Sequence, residues 1–73
     1  MYQLGIDLGS ASVKLALFQN GIVIQTWLCV HHGQIAKTLQ EGLTALNLPQ
    51  TPIAVAVTGS NRSGVCHLLP NCP

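Results

Sequence analysis

The sequence predicts an α/β fold: a three-stranded antiparallel meander, a crossover helix and a fourth, parallel strand. Three observations predict it. Apolar residues alternate with a period of two through residues 2–30, interrupted only by a small-residue turn and by Asn20-Gly21. A stripe at helical spacing follows over residues 34–46. After two prolines comes a run that is apolar at every position, residues 53–57.

The first strand, residues 2–7, places Leu4 and Ile6 on one face and Gln3, Gly5 and Asp7 on the other. Leu8-Gly9-Ser10-Ala11-Ser12 is small and polar enough to turn tightly, and Gly9 is the residue expected to take positive φ or to admit a ligand close to the backbone. The second strand, residues 13–18, sets Val13, Leu15 and Leu17 against Lys14, Ala16 and Phe18. Asn20-Gly21 then marks a tight hairpin, because both residues accept positive φ. The third strand, residues 22–30, aligns Ile22, Ile24, Thr26, Leu28 and Val30 on one face.

His31-His32-Gly33 reads as a solvated connector. In the helix, Ile35, Leu39, Leu43 and Leu46 form the apolar stripe, while Lys37, Gln40, Glu41 and Thr44 fall on the solvated side; Gly42 weakens the helix or allows close packing. Pro49 and Pro52 stop any continuation. The helix is long enough to carry the chain across a sheet, so the fourth strand is expected to run parallel to a meander strand, covered on both faces. Residues 63–73 lose all periodicity and read as an irregular tail, either the end of a truncated or frameshifted reading frame or a mobile tail.

Composition narrows the function. The 73 residues allow one small domain, 48% hydrophobic and only 7% charged. A net charge of +1, with one Trp, one Tyr and one Phe and no basic cluster, gives no support to nucleic-acid binding. No run is long enough to span a membrane, and no charged segment precedes an apolar core at the N-terminus, so a cytoplasmic protein is expected. The three cysteines, Cys29, Cys66 and Cys72, are odd in number and unevenly spaced, which does not suit a disulfide framework. Combined with His31, His32 and His67 they still lack the short two-residue gap typical of zinc sites.

The chemistry, if any, begins at Asp7 to Lys14. The chain has two acidic and three basic side chains, and one of each flanks this turn. Turn amides can form a concave anion site, with Ser10 and Ser12 adding hydroxyls and Lys14 a counter-charge. Asp7 would repel a bare phosphate and makes sense beside one with a hydrated magnesium ion between them. An ordinary hairpin turn is the alternative. The pattern is neither a Walker loop nor a dinucleotide-binding glycine loop.

Gly5-Ile6-Asp7-Leu8-Gly9-Ser10, with a base seven residues after the acid, resembles the first phosphate motif of the acetate and sugar kinase, heat-shock chaperone and actin superfamily. Together with Val57-Thr58-Gly59-Ser60-Asn61-Arg62, it most resembles the activator ATPases of 2-hydroxyacyl-CoA dehydratases and benzoyl-CoA reductases. The chain departs from that pattern at Asn61, where the activators usually carry Gly; Asn is the most tolerant substitute at a left-handed backbone position.

The resemblance covers residues 1–62 and implies an incomplete ribonuclease H-like (actin-like ATPase) lobe with sheet order three-two-one-four. It implies a magnesium-water role for Asp7 and phosphate contacts from Gly9, Ser10, Ala11, Ser12 and Lys14. Gly59 and Arg62 would adjoin the site, Arg62 as an outer or interface contact. ATP and magnesium are the cofactors implied, with a homodimer and a CoA-ester dehydratase or reductase as partners. The activators' four-iron four-sulfur cluster has no matching ligand among these cysteines. The nucleotide would lie in a cleft between this lobe and a C-terminal one carrying the second phosphate loop, so these residues by themselves are expected to be inactive. A sugar or small-molecule kinase of the same superfamily, or a non-catalytic remnant or interaction module, are the alternatives.

Overall fold

A computed structural model describes residues 1–61 of the chain. The elements are β1 (Tyr2–Leu8), β2 (Ser12–Gln19), β3 (Ile22–Val30), α1 (Ile35–Ala45) and β4 (Ala54–Thr58). They form one four-stranded mixed sheet in the order β3-β2-β1-β4, with β1–β2 and β2–β3 antiparallel and β1–β4 parallel. The expected meander, crossover helix and parallel fourth strand are all present. Arg62 and the tail at 63–73 lie outside the described residues.

The alternation of β1 and β2 sorts their side chains between two unlike faces. Leu4, Ile6, Leu8, Val13 and Leu15 are buried with Leu39 and Leu46 of the helical segment, and Trp27, Val55 and Val57 pack against them. The predicted helical stripe is therefore the buried one, and Lys37, Gln40, Glu41 and Thr44 are exposed as expected. Gly42 explains how closely α1 sits. A Cβ there would lie 2.5 Å from Trp27 Cζ3 and 2.7 Å from Leu15 Cδ1. Close packing, not helix weakening, is the role of this glycine. Gln25 ties the exit of the helix to β3, donating from Nε2 to the Asn47 carbonyl (2.9 Å) and accepting from the Asn47 N–H (2.8 Å).

The opposite face carries no helix among the described residues. Ala56, Gly5, Ala16 and Thr26 form one row across it, and Thr58, Asp7, Lys14 and Leu28 the next. Small side chains in the first row leave a shallow groove of about 570 Å³, with Phe18 along it. This corrects two expectations. β4 is covered on one face only among the described residues: Ala54, Ala56 and Thr58 are exposed while Val55 and Val57 are half-buried. The anticipated apolar face of β3 is also broken. Leu17 pairs with Gln25 but Phe18 pairs with Val23, so Ile24 is an unpaired extra residue in a bulge. The bulge reverses the phase, so that Ile22 and Thr26 no longer share a face. Thr26, Leu28 and Val30 belong to the uncovered face, whereas Trp27 and Cys29 face the helix side.

Gly42→Ala tests the close approach of α1. It adds helix propensity of up to about 1 kcal/mol but overpacks the Trp27–Leu15 contact at a typical cost of about 1–3 kcal/mol. The expected net result is destabilisation, seen as a lower urea midpoint and a shifted Trp27 fluorescence maximum.

Candidate functional site

Strand order brings together two segments far apart in sequence. Asp7 lies opposite Lys14 in the antiparallel ladder and opposite Thr58 in the parallel one. The β1–β2 turn, Gly9-Ser10-Ala11, and the segment after β4, Gly59-Ser60-Asn61, therefore meet at one end of the sheet. Ser10 and Ala11 are exposed, Ser12 and Asp7 half-buried, and Lys14 exposed on the uncovered face. Arg62 lies outside the described residues.

Among the described residues the backbone of the turn leaves more donors than acceptors free. The Gly9 N–H donates to the Ser12 carbonyl (3.0 Å), the Asn61 N–H to the Leu8 carbonyl (3.0 Å) and the His31 N–H to the Ala11 carbonyl (3.0 Å). The Gly9 carbonyl accepts from the Asn61 side-chain Nδ2 at 2.9 Å and pairs with His31 Nε2 at 3.0 Å. The carbonyls of Leu8, Gly9, Ala11 and Ser12 are thus all engaged. The N–H groups of Ser10 and Ala11 have no protein acceptor among the described residues, and the Ser10 carbonyl has no protein donor among them. Such a turn presents two donors, Ser10 and Ala11 N–H, against one free acceptor, the Ser10 carbonyl, an excess of donors that suits an anion.

Sequence reasoning placed the turn correctly but missed what holds it. His31 is no solvated connector residue: it is buried at 6% exposure, while His32 is exposed. His32 and Gly33 take left-handed backbone conformations (φ 50° and 81°). This brings the Gly33 N–H back onto His31 Nδ1 at 2.9 Å. Nδ1 is then an acceptor and Nε2 the protonated nitrogen, so the neutral Nε2–H tautomer satisfies both bonds. No local pattern announced this, because Gly9 and His31 are 22 residues apart.

Three glycine and asparagine expectations change. Gly9 does not take positive φ; a Cβ there would meet the Ser12 carbonyl oxygen at 3.3 Å. Its amide is also committed to Ser12 and is not free to cradle a ligand. Asn61 does not substitute for glycine by adopting a left-handed backbone; its side chain reaches the Gly9 carbonyl instead. Gly59 has φ 108°, and a Cβ would collide with the backbone of Leu8. Only glycine allows the chain after β4 to cross the end of β1 so closely.

Among the described residues no three His, Cys, Asp or Glu side chains gather into a metal-binding group, and no helix is long and apolar enough to cross a membrane. A scan of protein-family models finds no match to the chain, and a search of curated proteins finds none.

Gly59→Ala is expected to lift the segment after β4 away from Leu8 and to cost about 1–3 kcal/mol. The measurements are the urea midpoint and amide hydrogen exchange at Asn61, which should quicken as the bond to the Leu8 carbonyl is lost.

Proposed function

We propose that residues 1–62 are the N-terminal phosphate-binding piece of an ATP-dependent, cytoplasmic activator of the 2-hydroxyacyl-CoA dehydratase and benzoyl-CoA reductase type, on a ribonuclease H-like lobe. The observation that carries the nucleotide reading is the turn: N–H groups at Ser10 and Ala11 without an acceptor among the described residues, the carbonyls of Leu8, Gly9, Ala11 and Ser12 engaged, and Asp7 and Lys14 on the adjoining strands. In this reading the Ser10 and Ala11 amides and the Ser12 hydroxyl receive phosphate oxygens, and Lys14 offsets their charge. Asp7 holds magnesium through water; the ion neutralises phosphate charge when bound. The amide role attributed to Gly9 falls away, since the Gly9 N–H is already used, and Ser10 and Ala11 keep theirs.

The resemblance to the activators rests on the paired motifs of residues 4–14 and 57–62. The first motif alone supports a small-molecule kinase of the same superfamily equally well. A second cleft-forming lobe completes either enzyme, and coupling of ATP hydrolysis to electron transfer would need it. One observation favours a non-catalytic reading. Asp7 and Lys14 are direct cross-strand neighbours, and opposite charges so placed stabilise a sheet by about 0.2–1 kcal/mol with no ligand at all.

Titration calorimetry with magnesium-ATP separates these readings. Micromolar binding that Asp7→Ala weakens by more than about tenfold, some 1.4 kcal/mol, is the expected result. Absence of binding, together with lower stability of Asp7→Ala and Lys14→Ala that is not additive in the double variant, identifies the pair as structural.

A further inference from the structure

Two residues distant in sequence grip the β1–β2 turn in the same manner. His31 donates its backbone N–H to the Ala11 carbonyl and its ring Nε2–H to the Gly9 carbonyl, both at 3.0 Å. Asn61 donates its backbone N–H to the Leu8 carbonyl at 3.0 Å and its side-chain Nδ2–H to the same Gly9 carbonyl at 2.9 Å. Each residue thus uses one main-chain and one side-chain donor, and the two side chains converge on a single oxygen. A carbonyl has two lone pairs, so Gly9 is saturated.

We propose that His31 and Asn61 are positioning residues that hold the turn through the Gly9 carbonyl and so keep the Ser10 and Ala11 amides in place for an anion. The inference rests on the phosphate-binding reading of that turn given above. His31 is suited to the task because it is itself fixed. Its ring is buried, and its second nitrogen is occupied by the Gly33 N–H at 2.9 Å, which leaves Nε2 one direction in which to donate. Asn61 supplies the second grip from the far side of the parallel ladder, on the chain leaving β4. The two grips come from opposite ends of the sheet order, β3 and β4. The turn, closed internally by the Gly9 N–H to Ser12 carbonyl bond, is therefore braced from both flanks of the sheet. An anion arriving at Ser10 and Ala11 then meets donors that need no reorganisation, the usual source of affinity in preorganised sites. It also avoids the Gly9 carbonyl oxygen, whose lone pairs would otherwise repel it.

The test uses the full chain labelled with ¹⁵N, read by amide order parameters and by titration with inorganic phosphate and with magnesium-ATP. In the unsubstituted protein the turn, residues 9–12, should show order parameters near the rigid-backbone value of about 0.85. Both ligands should shift the Ser10 and Ala11 amides. His31→Phe and Asn61→Ala should loosen the turn toward about 0.6 and weaken ligand binding roughly three- to tenfold, the equivalent of one neutral hydrogen bond. His31→Gln, whose amide can donate from the position of Nε2, should recover most of the binding. The Asn20-Gly21 hairpin tip reports folding, and should stay unchanged in each variant.

If His31→Phe unfolds the chain, Asn61→Ala and His31→Gln decide the matter. Unchanged turn order and unchanged ligand affinity in Asn61→Ala, or no difference between His31→Gln and a folded His31→Phe, would overturn the positioning role while leaving the phosphate reading intact. If neither phosphate nor magnesium-ATP moves Ser10 or Ala11 although the turn is rigid, the phosphate reading itself fails. The positioning proposal falls with it.

Discussion

A parallel neighbour cannot be reached by a tight turn, so the place of β4 beside β1 obliges the chain to leave the sheet and return. That single pairing sets the rest. It requires α1 as the crossover, and α1 must lie on one face, where its apolar stripe meets Leu4, Ile6 and Leu15. It also fixes where β4 ends. With Asp7 opposite Thr58, the chain emerging from β4 passes across the end of β1, and Gly59 and Asn61 are the residues that make the crossing. The candidate site is a by-product of that topology, assembled from strand ends that would be far apart in any all-antiparallel arrangement.

The energetic weight lies on the helix side. Ile6, Leu8, Val13, Leu15 and Leu39 are almost wholly removed from water, and burial of each such side chain is worth about 1.5–3 kcal/mol. The uncovered face has a different composition. Its central rows are Gly, Ala, Thr and a charged pair, with larger apolar residues, Leu28 and Val30, toward the β3 edge. The two faces thus divide labour: one stabilises the sheet, and the other holds the charges on which the functional reading depends. His31 crosses that division, since it is buried like a core residue yet spends both ring nitrogens on loop backbone.

Much of this could be read from residues that interact locally. Asn20-Gly21 takes positive φ at both positions (52° and 82°), as the dipeptide demands. The period of the helical stripe and the prolines after it located α1 and β4 within a residue or two. The failures have one cause, dependence on distant partners. His31 was misread because its role is set by Gly9, and Asn61 because its side chain acts on the same residue 52 positions away. The faces of β3 were misread because a single inserted residue, Ile24, reverses an alternation that looks regular on paper. Gly9 was assigned a backbone freedom it does not use, since glycine in a turn signals possible conformations without choosing among them.

The bulge at Ile24 bears on more than side-chain phase. β3 is the outer strand at one end of the sheet, and its first three residues, Ile22, Val23 and Ile24, are all exposed apolar side chains. A straight strand of that composition would offer an even row of backbone donors and acceptors to any other chain, the usual template for runaway sheet extension. The extra residue interrupts that row and increases the local twist. An incoming strand that matched the ladder on one side of Ile24 would be out of step on the other, so the irregularity that confuses the sequence pattern also guards this exposed apolar stretch against its own kind.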